Sequence, residues 1–124
     1  MERFKYGVIL NIVMREKSAF LEFIGDTSAT RLLDFLVTGR EFDYTLTDLA
    51  NKAGVSWTTL HRIFPQFIKN KIVLEVRQIG RAKLYKLNVA NLRVKKVIDL
   101  YDSIIVDELK RLGLKSQKPV LVEV

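Results

Sequence analysis

Between Thr45 and Leu87 the hydrophobic period of the chain changes once, from helical to alternating, and that change leaves few folds open. Thr45 with Asp48 three residues on forms a capping-box start, with the threonine hydroxyl accepting an amide and the carboxylate at the positive helix end. A helix through Ala53 follows. Gly54 supplies a tight turn, Val55 an apolar plug, and Ser56 a second N-cap. The next helix carries Leu60, Ile63, Phe64, Phe67 and Ile68 on its apolar side. Pro65 lies inside it and removes the hydrogen bond to the His61 carbonyl, so a kink or an early end is expected there. From Ile72 the period becomes two: Leu74 and Val76 alternate with Glu75 and Arg77, and after Gln78, Ile79, Gly80 and Arg81 the segment Lys83 to Leu87 puts Tyr85 and Leu87 on one face. This is a hairpin, with Gly80 suited to a positive φ at its tip.

The flanks are mostly helical. Residues 4–14 fit both an alternating strand and an amphipathic helix. Ser18 to Ile24 reads as a short helix ended by Gly25 and Asp26. Ser28 to Val37 follows, with Leu32, Leu33, Phe35 and Leu36 as its apolar face and Gly39 as its stop. Phe42 to Tyr44 reads as a very short strand. Asn88 or Asn91 caps a final helix to about Leu112, with Val94, Ile98, Tyr101, Ile105, Leu109 and Leu112 in one stripe and Gly113 after it. The fold class is therefore mainly α with one small β-hairpin. Four segments are expected: 1–24, a packing or dimer arm; 25–90, the central domain; 91–113, the last helix; and 114–124, a tail with a β-prone end.

Charge is concentrated in the same central region. Between Val55 and Ile98 stand ten basic residues (Arg62, Lys69, Lys71, Arg77, Arg81, Lys83, Lys86, Arg93, Lys95 and Lys96) against the single acid Glu75, a local charge of +9 in a chain of net charge +7. Residues 1–54 and 99–124 each sum to −1. A field localised on a helix and a hairpin attracts a polyanion, and duplex DNA is the first candidate. The 124 residues contain no cysteine, which excludes a disulfide framework, a thiolate nucleophile and zinc-finger spacing and fits a cytoplasmic protein. Arg3 and Lys5 before the apolar stretch Tyr6 to Met14 mimic a secretory signal. However, Arg15, Glu16 and Lys17 follow at once, no small-residue cleavage site is present, and the run is too short to span a bilayer.

Two helices meeting through a tight turn need a small residue at their approach, a glycine in the turn and apolar plugs on either side. Leu49, Ala50, Ala53, Gly54, Val55, Leu60 and Ile63 provide them, and the spacings Ala50 to Gly54 and Gly54 to Leu60 match a helix-turn-helix. With the basic hairpin behind it, the run from Thr45 to Asn88, including LANKAGVSWTTLHRIFPQFIKNKIV and IGRAKLYKLN, resembles the winged helix-turn-helix of transcriptional regulators of the ArsR and MarR type, in particular small archaeal ones. The resemblance implies a winged helix-turn-helix with an extra C-terminal helix, bound to double-stranded DNA as a regulator. The metal-sensing ArsR members use cysteine clusters, which this chain lacks, so metal sensing is not implied.

In such a fold the second helix reads the major groove and the hairpin forms the wing. The base-reading residues would be Trp57, Thr59, His61, Arg62 and Gln66. Arg62 has a planar fork that suits guanine O6 and N7; its alternative is an ordinary surface arginine. Trp57 would lie against sugar or a thymine methyl, or else pack on Phe42 or Tyr44. His61 would be a neutral reader or a phosphate contact. Ser56, Thr58, Lys69 and Lys71 are placed for phosphates, although Ser56 serves equally as a structural cap. On the wing, Arg77, Gln78, Gly80, Arg81 and Lys83 would meet the adjacent minor groove or its phosphates, or form a solvated basic turn.

The last helix has an apolar band wider than one core-facing stripe needs, which fits either a helix that covers its own domain or a homodimer, the latter with a palindromic site of half-sites about 34 Å apart. No paired carboxylates, Gly-rich phosphate loop, His-x-x-x-His or nucleophile elbow is present, so no enzyme, metal or cofactor is expected. Asp43, Asp48, Asp99, Asp102 and Asp107 read as caps and solvated helix faces. No membrane association is expected, and the sequence specifies no small-molecule effector. The alternative function is a winged-helix protein-interaction module of a transcription or replication assembly.

Overall fold

A computed structural model describes residues 18–113, so the expectations for residues 4–14 and for the tail from Lys115 lie outside the described residues. The elements are α1 (Ala19–Ile24), α2 (Ser28–Thr38), α3 (Leu46–Ala53), α4 (Trp57–Lys69), β1 (Val73–Ile79), β2 (Ala82–Leu87) and α5 (Leu92–Arg111). Asp26–Ile98 makes one compact unit; Ser18–Gly25 and the part of α5 from Asp99 belong to a second.

The helix starts of the central unit are set locally. Thr27 caps α2, exchanging hydrogen bonds with Thr30: the Thr30 amide donates to Thr27 Oγ1 at 3.1 Å and the Thr27 amide to Thr30 Oγ1 at 2.8 Å. Thr45 and Asp48 form the expected box at α3, at 3.1 and 3.2 Å. Gly54 ends α3 in the left-handed region at φ 71°, where a side chain is disfavoured. Its carbonyl accepts from the Arg31 guanidinium at 3.3 Å, which links α2 to the turn. Ser56 caps α4 by accepting from the Thr59 amide at 3.1 Å.

These caps aim three helices at one another and at β2. Leu32 and Leu36 of α2, Leu49 of α3 and Leu60 of α4 are fully buried, and the Phe64 ring meets Tyr85 of β2 edge-on at 4.9 Å. Val55 is buried as the expected plug. Leu33, Phe35 and Ile63 are only half-buried, and Ile68, expected on the apolar side, is exposed. Pro65 neither ends α4 nor shortens it: the helix runs four residues further to Lys69. Pro65 is exposed, so the carbonyl it leaves unbonded within the helix is on the hydrated side.

The hairpin is antiparallel, running from Val73 opposite Leu87 to Ile79 opposite Ala82. Gly80, first of its two turn residues, has φ 62°, the sign a type II′ turn requires there. A bulge between Glu75 and Arg77 sets Val76 outside the ladder. The apolar side chains that alternate along β1 are not buried: Leu74, Val76 and Ile79 are 44, 46 and 57% exposed. It is β2 that packs on α2 and α3, burying Leu84, Tyr85 and Leu87 and leaving β1 buried only at Val73. The short strand expected at Phe42 to Tyr44 reduces to one bridge, in which Tyr44 and Tyr85 exchange two backbone hydrogen bonds of 2.8 Å. Phe42 still belongs to the turn after α2, its amide donating to the Gly39 carbonyl, and the α3 cap begins at Thr45.

Lys71, at the corner between α4 and β1, takes a positive φ of 55°. Its carbonyl accepts from the side-chain amides of Asn88 and Asn91, both at 3.0 Å. Asn91 is the cap of α5, its Oδ1 accepting from the Arg93 amide at 2.9 Å. The helix ends at Arg111, one residue short of the expected Leu112, and Gly113 follows at φ 84°. In the second unit Ser18 caps α1, and Phe20, fully buried, meets Tyr101 with ring centroids 5.4 Å apart.

Candidate nucleic-acid interface

The N-cap and apolar spacing of α4 decide which side chains face outward. With Leu60, Phe64 and Phe67 buried, the rest of the helix surface presents Thr58, His61, Arg62, Gln66 and Lys69, and its first turn Trp57, all exposed. Thr59 is half-buried beside the cap, and its Oγ1 accepts from the Ser56 hydroxyl at 2.9 Å. Ser56 is thus both an exposed hydroxyl and a structural cap.

Trp57 does not pack on Phe42 or Tyr44. It is 51% exposed, and its ring lies 4.2 Å from that of His61, one turn along the helix. Tyr44 instead meets Phe35 edge-on at 4.9 Å, and Phe42 is 66% exposed. His61 Nδ1 lies 3.1 Å from the Trp57 carbonyl oxygen.

On the hairpin, Arg81 and Lys83 are exposed around the Gly80 turn. Gln78 braces that turn, its side-chain amide donating to the Gly80 carbonyl at 3.0 Å. Arg77 is engaged differently. Its guanidinium donates twice to the Asp43 carboxylate, at 2.6 and 3.1 Å. The bond from Arg77 holds the Asp43 carboxyl below its ordinary range, and the Asp43 carboxylate raises Arg77. Asp43 is therefore neither a cap nor a solvated helix-face residue but an ion-pair partner of the wing. The two residues lie 34 positions apart, and no periodicity joins them until Tyr44 is known to bridge Tyr85.

Among the described residues, Arg62, Lys69, Lys71, Arg81 and Lys83 have no acidic group within 4.0 Å. No three histidine, aspartate or glutamate side chains among the described residues are grouped to hold a metal, and no described helix is long and apolar enough to cross a membrane. The arrangement offers fixed donors, free cations and one exposed aromatic on a helix and a hairpin of one unit.

No protein-family model matches the sequence, and no curated protein sequence does. Solved structures do match. The fold is similar to NadR in complex with 4-hydroxyphenylacetate, with a TM-score of 0.53 and 18% identity over 90% of this chain and 80% of that one. It is similar to MepR, a transcription regulator of the Staphylococcus aureus multidrug efflux pump MepA, with a TM-score of 0.52 and 12% identity over 99% of this chain and 91% of that one. A mutant of MarR from E. coli gives a TM-score of 0.51 and 15% identity over 99% and 90%. The chain resembles MarR-type proteins in fold: mainly helical, with a two-stranded antiparallel wing after a helix-turn-helix.

Proposed function

We propose that this chain is a sequence-specific, double-stranded DNA-binding transcriptional regulator of the cytoplasm. In this reading α4 enters the major groove and the β1–β2 wing lies on the adjacent minor groove or its phosphates. The observation that carries the proposal is the set of exposed cations without acidic partners on α4, its C-terminal corner and the hairpin, in a fold shared with a transcription regulator. Arg62 reads a base; Trp57, Thr59, His61 and Gln66 line the groove beside it; Ser56, Thr58, Lys69 and Lys71 meet phosphates. Gly80 with Arg77, Gln78, Arg81 and Lys83 forms the wing contact. The segment 25–90 is the DNA-binding part. Residues 91–113 pair two copies, with 1–24 as packing or dimer arm, and the site is palindromic.

The test is fluorescence anisotropy with a mixed-sequence duplex at low salt, followed by operator selection and two variants. R62A is expected to lose about 1–3 kcal/mol at one base position and relax specificity there, whereas R81A weakens all sequences alike. If both variants bind as the unaltered chain does, the assigned surface is wrong. A second reading, a protein-interaction module, draws on the half-exposed Trp57 and the exposed Leu74, Val76 and Ile79 of β1. Absence of duplex binding at low salt selects it.

A further inference from the structure

His61 is exposed, yet a single residue holds its ring from two sides. Nδ1 lies 3.1 Å from the Trp57 carbonyl oxygen, and the two rings have centroids 4.2 Å apart at an interplanar angle of 57°. A carbonyl oxygen only accepts, so Nδ1 is the atom that carries the proton in this bond. In a neutral imidazole with Nδ1 protonated, Nε2 has no hydrogen and acts only as an acceptor. The carbonyl thus selects the tautomer, and the indole restricts the ring's rotation.

We infer that His61 is a specificity-determining residue of α4 whose fixed Nδ1–H tautomer makes Nε2 an acceptor for the exocyclic amino group of an adenine or a cytosine. The inference rests on α4 lying in the major groove. In that groove adenine N6 and cytosine N4 are the donors, while guanine O6 and N7 and thymine O4 are acceptors. Opposite guanine or thymine, Nε2 would face another acceptor with no hydrogen between them, and desolvation on docking makes that mismatch unfavourable. Arg62, next in sequence, has only donors and prefers the acceptors of guanine. Two adjacent residues of α4 therefore carry opposite hydrogen-bonding polarity, so each half-site is expected to hold a guanine near a base pair whose amino base, adenine or cytosine, stands always on the same strand.

The test uses the full chain at pH 8. Nitrogen NMR of the histidine ring in the free protein, where His61 is the single histidine, is expected to show Nδ1 protonated and Nε2 bare. Selection from a randomised duplex pool, with the unaltered chain and with H61A, is expected to show one position per half-site that accepts adenine and cytosine on one strand and rejects guanine and thymine on that same strand. In H61A that position becomes free. Replacing its base by guanine or thymine should weaken the unaltered chain about fivefold, the worth of one neutral hydrogen bond, and leave H61A unchanged. A proton on Nε2 in the free chain overturns the inference while leaving DNA binding untouched. So does a freed position that sorts bases in another way, purine from pyrimidine or A·T from G·C, or a preference that H61A does not alter. If neither protein binds the pool at low salt, the regulator reading fails and takes this inference with it.

Discussion

Gly39 is a glycine for reasons of space rather than backbone angle. Its φ of −104° is open to any residue, but a Cβ placed there would collide with the Tyr44 hydroxyl oxygen. That hydroxyl donates to the Gly39 carbonyl at 3.0 Å, and Tyr44 is pinned by Phe35 on one side and by its backbone bridge to Tyr85 on the other. G39A is accordingly expected to cost about 1–3 kcal/mol in chemical denaturation, as overpacking does. In a Y44F background, where the obstructing oxygen is gone, most of that cost should disappear. Equal costs in both backgrounds would mean that the contact is not why glycine stands there. The sequence shows Gly39 as a helix stop but not this reason, because Tyr44 reaches it only after the chain has turned. The caps at Thr45 and Ser56 are legible for the opposite reason: each closes over three residues. The Trp57–His61 contact spans a helical spacing of four and was within reach of the same arithmetic. Both readings of Trp57, against DNA or packed on Phe42 or Tyr44, look away from its own helix.

At the scale of elements, the wing is fastened to the segment between α2 and α3 twice over, by the Tyr44–Tyr85 bridge and by Asp43 on Arg77 beside the bulge. Alternation along β1 counts residue types and does not say which strand is covered. What decides burial is which strand the helices cover, and α2 and α3 cover β2. The bulge at Val76 further changes the side to which the following residues point. The ion pair has a direct pH consequence. Arg77 lowers the native Asp43 carboxyl below its unfolded value of about 3.9, so the pair contributes above that pH and its contribution is lost as pH falls through the lowered native value. Carboxyl-carbon NMR should give Asp43 a midpoint below the ordinary aspartate value, and R77A should move it upward, since the hydrogen bond from Arg77 is the largest cause of the shift. A midpoint indifferent to R77A would remove the pair as an anchor. Both partners are at the surface, so the shift should shrink in molar salt.

At the scale of the whole molecule, the sequence and the structure count charge differently, and the difference is measurable. The segment from Val55 to Ile98 carries ten cations, and if every one of them displaced a counterion the slope of log K against log salt would be about −9 per subunit. The structure removes charges from that count. Arg77 is matched by Asp43, Lys86 is half-buried on β2, and Arg93, Lys95 and Lys96 stand on α5 rather than on α4 or the wing. What remains is Arg62, Lys69, Lys71, Arg81 and Lys83. If these five each neutralise one phosphate, the slope is about −4.5 for one subunit and twice that for a two-fold pair on a palindrome. Anisotropy across a salt series on a duplex one half-site long, with the protein's state checked by sedimentation, reads the number directly. A slope of about −7 per subunit would show that α5 also lies against the backbone and that the docking geometry is different. A slope shallower than about −2 would leave too few phosphate contacts for a groove-bound helix with a wing beside it.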